Sequence, residues 1–323
     1  MTAAMSAAAF VVVLVTAALT GPRLIQAASP ALARWPRAAV ALLTTTVLVW
    51  LIAFVAVGPL FAWLLTGTAA EGSYGACRRC LESSNPWAEP VLDLGIPAFV
   101  MLAGPALLVL GALVVVGARL AAGEISAGQA AARIRERAVV RSISGHRVLV
   151  IDDDCAEAFA LPAHRGGIVV SEGALCALGP EELDAVLAHE HAHIAQRHHL
   201  IAALSRHVGV VLRPVPLIRA VAAAIPLYLE IAADNAARAR SGTRPLVSAL
   251  LRLSADDADR PARMHGTALH AVGPHRIRTL VGDNRPARGR TTVVATSAQS
   301  VVLAVLSGSV LLPWLVAMTS GCA

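Results

Sequence analysis

Lysine is absent from this sequence: all 27 basic residues are arginine. Together with the abundance of alanine this marks a GC-rich coding bias, so alanine runs carry little structural information. Charge is also scarce. Only 15% of the 323 residues are charged while 56% are hydrophobic, which excludes an ordinary soluble protein and makes a membrane protein the expectation. The net charge of +6 does not point to nucleic acid, because the arginines are dispersed and mostly flank apolar runs, where they orient membrane spans. Cysteine is sparse too. Cys77 and Cys80 form a CRRC, but Cys155, Cys176 and Cys322 supply no second CxxC, which excludes a zinc knuckle. The CRRC is either a disulfide or redox pair in an oxidising compartment or simply two unpaired thiols.

What is present is apolar length. Four segments are long enough to cross a bilayer, which takes about 20 helical residues: residues 4–20, Ala38 to Thr66, Ile96 to Val116 and Ser297 to Met318. No positive charge precedes the first apolar core, whereas Arg23, Arg34 and Arg37 follow it; a signal peptide has the reverse order. The loop expected at residues 21–37 holds those three arginines and no acid, while the loop expected at residues 67–95 sets Arg78 and Arg79 against Glu71, Glu82, Glu89 and Asp93. The positive-inside rule then places residues 21–37 and the long segment 119–296 in the cytoplasm, with both termini outside. The expected architecture is an α-helical polytopic protein of the inner (plasma) membrane. Three spans fill residues 1–118, a cytoplasmic α+β domain fills 119–296, and a fourth span with a short outer tail fills 297–323.

The cytoplasmic segment opens on AAGEISAGQAAARIRERAVV, read as a linking helix. HRVLVI, AFALP and GIVVS follow as three short strands. Asp152, Asp153 and Asp154 are either a cation site or a solvated strand-end turn, and the turn is favoured because no further oxygen ligands stand at calcium-loop spacing. Gly179-Pro180-Glu181-Glu182 then has proline and acids where a helix begins. On that helix lies LAHEHAHIAQRHHL, residues 187–200, with five histidines. At about 100° per residue, His189 and His193 stand one turn apart on one face, and Glu190 sits beside that face. This is the arrangement of a zinc hydrolase, in which two histidines hold the metal and the glutamate takes a proton from water. His191 and His198 project to the opposite side, so they are expected, with His199, on an ordinary surface face. A histidine-rich metal buffer would not need the embedded glutamate.

Zinc requires a third protein ligand. LYLEIAADNAARAR places Glu230 and Asp234 one turn apart on an otherwise apolar run, where isolated acids are costly. Glu230 is the candidate ligand, and Asp234 is placed to orient a ligating imidazole.

His189-Glu190-x-x-His193 followed by Glu230-x-x-x-Asp234 resembles the gluzincin membrane metallopeptidases. With three spans before the domain and one after, the chain most resembles the BlaR/MecR signal-transducer peptidases. The resemblance implies one zinc ion per chain held by His189, His193 and Glu230, with Glu190 as general base and Asp234 as helper acid. It implies a substrate-pairing edge strand at Ala158, Phe159, Ala160 and Leu161, and a protein or peptide substrate, a winged-helix repressor being the family's own. Beyond substrate, the expected partners are membrane lipid and no nucleic acid. His275, in PHRIRTL, is either a transition-state donor or a surface residue. Two departures stand out. The β-lactam receptors carry an acid where this chain has His198, and no S-x-x-K motif supports β-lactam sensing.

The alternative within the enzymes is a quality-control or processing peptidase of the HtpX or CAAX-prenyl-protease sort. Those usually place spans between HExxH and the third ligand. Here residues 200–227 contain Arg206, His207, Arg213 and Arg219 and are expected to pack at the membrane surface or in the core. A silent membrane scaffold with structural zinc is the alternative of another class, and Glu190 beside the ligand pair argues against it.

Overall fold

A computed structural model describes residues 2–65, 98–257 and 289–319. Helices α1 (Thr2–Leu32), α2 (Pro36–Leu65), α3 (Ala98–Arg137) and α9 (Arg290–Thr319) are long and apolar. A helix satisfies its own backbone groups, so such runs are stable without water. The helices pack as a bundle, α1 and α2 on each other and both on α9, with α3 against α2. Two polar ties cross it: Trp50 Nε1 donates to the Leu14 carbonyl at 3.1 Å, and the Thr46 and Ser300 hydroxyls meet at 3.2 Å.

Three expectations are corrected here. The helix of α1 continues through Pro22 and Pro30 to Leu32, so residues 21–37 are mostly helix rather than loop. The third apolar segment and the linking helix are one 40-residue helix. A fourth strand exists, because the helix stops at Arg137 and the β-branched Val139–Ile143 pairs instead with the next strand.

The sheet has strands β1 (Val139–Ile143), β2 (His146–Ile151), β3 (Ala158–Ala160) and β4 (Ile168–Ser171) in the order β1-β2-β4-β3. β1 and β2 form a hairpin turned by Ser144 and Gly145, both at positive φ, which suits the twist of the strands. β2 and β4 are parallel, and β3 runs antiparallel to β4 as an edge. Ser171 organises the exit. Its hydroxyl accepts from the backbone N–H of Glu157 at 2.9 Å and of Ala174 at 3.0 Å and donates to the Cys155 carbonyl, capping the short helix α4 (Glu172–Ala177). Asp153 Oδ1 accepts from the Cys155 N–H at 2.9 Å.

Helix α5 (Pro180–Ala195) starts where Gly179-Pro180 predicts. The Glu182 carboxylate accepts from the Gly179 N–H at 2.8 Å, the reciprocal half of a capping box, glycine having no side chain for the other half. The same carboxylate holds Ser248 and Arg252 of helix α8 (Thr243–Asp257). Val148, Val150, Ile168 and Val170 of the sheet bury Val186 and Leu187 of α5 together with Leu246 and Leu250 of α8.

Past α5 the chain breaks sharply: Arg197 is left-handed at φ +52°, and helix α6 (His198–Val211) begins at once. A tight turn leads into α7 (Pro216–Ser241). The α6–α7 hairpin is close-packed at Gly209, where a Cβ would fall 2.4 Å from that of Ala222. The first half of α7 buries Leu217, Ile218, Val221 and Ile225 in the same core as α1 and α2, and the second half faces α5. By length and composition α7 becomes a fifth helix able to cross a membrane, beside α1, α2, α3 and α9, where the sequence suggests four.

Candidate metal centre

Two helices build the centre. The four-residue spacing puts His189 and His193 on one face of α5, and their Nε2 atoms stand 3.1 Å apart. Across from them, α7 presents Glu230, with Oε2 3.5 Å from His189 Nε2 and Oε1 3.5 Å from His193 Nε2. Donors bound at about 2.0–2.1 Å around tetrahedral zinc lie about 3.3 Å from one another. The three observed edges bracket that value, and one ligand atom from each residue falls within 4.8 Å of the others. The residues therefore fit zinc.

Burial and charge agree with the geometry. His189 has no solvent exposure, and Glu190, Glu230 and Asp234 are all buried. Three carboxylates sequestered together are costly unless a cation joins them. Burial works against a charged His189 ring, yet hydrogen bonding to Asp234 and Glu230 and the charge of Glu190 outweigh it and hold its pKa up at about 10. Positive charge is thus strongly favoured at this spot. Asp234 Oδ1 lies 3.1 Å from His189 Nδ1. The two atoms meet at an angle rather than along a linear hydrogen bond. With Nδ1–H held by Asp234, Nε2 is left free to ligate.

The other side of the histidine cluster departs from expectation. His198 is buried rather than on a surface face, and its Nδ1 is 3.1 Å from His193 Nδ1. Projecting one helix through residue 198 is what misplaces it, for the left-handed Arg197 ends α5 and turns His198 back toward the centre. The signal in the sequence is positional: His198 stands where the resemblance puts an acid. Burial together with the nearby cationic His189 and Arg37 holds the His198 pKa down at about 4, so its ring is neutral. His191 does lie exposed, its ring 5.1 Å from that of His146, and His199 is half-buried.

β3 packs beside α5 as the edge of the sheet, with Leu161 just past its end donating its N–H to the Gly167 carbonyl at 2.8 Å. Ala158, Phe159 and Ala160 thus lie on a strand against the helix that carries His189 and His193. His275, Cys77 and Cys80 lie outside the described residues.

Residues 125–278 match the model of Peptidase family M48. The matched stretch begins within α3 and takes in the whole sheet and α4 to α8. Peptidases of this family are zinc metallopeptidases, which agrees with the donor set found here. No curated protein and no solved structure matches the chain.

Proposed function

We propose that the chain is a membrane-embedded zinc endopeptidase that hydrolyses a peptide bond in a cytoplasmic or juxtamembrane protein segment. The observation that carries this reading is the triangle of 3.1, 3.5 and 3.5 Å formed by His189, His193 and Glu230, set beside a buried Glu190 that is not part of it. When bound, zinc supplies a Lewis acid for the scissile carbonyl and makes water acidic enough to be deprotonated near neutral pH.

The chain's own residues do the rest. Glu190 takes the proton of the attacking water as its oxygen bonds to the carbonyl carbon, then gives that proton to the leaving amine as the C–N bond breaks. Asp234 holds the His189 ring in its ligating orientation. The open edge of β3 pairs with an extended substrate backbone and aligns it.

Placement near the membrane follows from α7. Leu217 abuts Gly21 of α1, so the exposed Arg23 and Arg219, each two residues further toward the centre, share one level. Arginines without neighbouring acids mark the headgroup layer. Glu230 lies eleven residues beyond Arg219, about 16 Å at the helical rise, which supports a centre clear of the hydrocarbon yet within reach of a segment emerging from it. The arginines of residues 21–37 favour the cytoplasm for this side. The resemblance to BlaR/MecR transducers adds a winged-helix repressor as the substrate.

The test uses full-length protein in liposomes and one peptide in two forms, free and lipid-tethered. Cleavage favouring the tethered form, stopped by a zinc chelator and restored by zinc, is expected. Cleavage indifferent to the chelator contradicts the zinc reading, and equal cleavage of both forms contradicts the membrane placement.

A further inference from the structure

His193 has a second nitrogen, and it is not idle. Its Nδ1 faces His198 Nδ1 at 3.1 Å; His198 Nε2 faces Gln196 Oε1 at 3.2 Å; Gln196 Oε1 accepts from Arg37 Nε at 3.1 Å. One donor pattern satisfies all three contacts. Arg37 always donates, so Gln196 contributes its carbonyl oxygen, which also accepts from His198 Nε2–H. That leaves His198 Nδ1 as an acceptor, and His193 Nδ1–H must donate to it. The lone pair on His193 Nε2 is then directed at Glu230 and His189, as ligation requires.

The resemblance puts a carboxylate at position 198, and a carboxylate accepts without help. A neutral imidazole accepts at Nδ1 only if its proton is kept on Nε2, so the histidine makes the contact conditional on Gln196 and Arg37. Arg37 belongs to another part of the molecule. It stands at the start of α2, one residue after Pro36, beside the exposed Trp35.

We propose that Arg37, Gln196 and His198 are positioning residues that fix the tautomer and ring orientation of His193, so that the placement of membrane helix α2 against α5 sets the strength of the metal centre. This rests on the zinc reading above. Displacing α2 by more than a hydrogen-bond length frees Gln196 to rotate, releases the His198 proton to either nitrogen and loosens one zinc ligand. The bundle thereby acts on the centre through a defined contact.

The experiment measures zinc affinity by chelator competition, and the visible absorption of the cobalt-loaded form, on purified full-length protein. Arg37→Leu is expected to weaken zinc binding roughly tenfold, the low end for loss of an outer partner, and to alter the cobalt spectrum; Arg37→Lys, which keeps a donor, retains most of the affinity. His198→Leu weakens binding likewise. His198→Asn places Oδ1 where Nδ1 stood but has no atom reaching Gln196. It should keep most of the affinity, and adding Arg37→Leu to it should then change nothing. Wild-type affinity and spectrum in Arg37→Leu, or an equal loss on the His198→Asn background, overturns the proposal while leaving the zinc centre intact. Failure of the wild-type protein to bind zinc or cobalt overturns both.

Discussion

His189 is held from two sides, by Glu230 near Nε2 and by Asp234 near Nδ1, and this sandwich explains why an imidazole without solvent contact remains the best-positioned donor in the molecule. Asp234→Asn keeps the shape but removes the negative charge that favours the ligating tautomer. Zinc affinity is expected to fall between tenfold and a hundredfold, read by chelator competition, with the helical content unchanged. The pairings at this scale were legible in the sequence wherever one unbroken helix carries them, as in His189 with His193 and Glu230 with Asp234. His198 was not legible. Its position depends on a single residue in the left-handed region, Arg197, and an arginine there carries no signal of the kind a glycine would give.

At the scale of elements, Glu182 joins the start of α5 to α8. Its carboxyl is held below the usual range, first by the Ser248 hydroxyl, then by the Gly179 N–H and the nearby Arg252, against a smaller opposing effect of burial. A depressed carboxyl contributes stability that is present above its unfolded pKa, about 4.3, and is lost as the pH falls through the lower folded value. Glu182→Gln is therefore expected to unfold at a lower temperature than wild type at pH 7, with the gap closing as the pH falls below about 4, followed by circular dichroism in detergent. A gap of constant size across that range contradicts the assignment. The same joint shows what pattern reading captures: Gly179-Pro180 with two acids locates α5 correctly, and HRVLVI, AFA and IVVS appear as strands where alternation or β-branching marks them. β1 was missed because Val139 to Ile143 continues a helix-like run without a breaker, and only pairing with β2 decides its state.

Across the whole molecule, α7 ties the apolar helix bundle to the metal centre. Its first half lies in the core shared by α1 and α2 and its second half supplies Glu230 and Asp234. Sequence reading sets residues 200–227 aside as a poor span because of their charges, and the arginines Arg206, Arg213 and Arg219 do lie exposed. It did not show that the following acids continue the same helix, since Pro214, Pro216 and Pro226 read as breaks; Pro216 instead starts α7 and Pro226 is accommodated on an exposed face. A centre assembled from two packed helices, with a base that is not a ligand, makes a direct demand on Glu190. The decisive measurement compares zinc content and peptide cleavage of full-length wild type with those of Glu190→Gln. One zinc per chain in both proteins, with cleavage by the variant reduced on the order of a hundredfold to ten-thousandfold, is the predicted result. Cleavage by Glu190→Gln at the wild-type rate with zinc retained would contradict it.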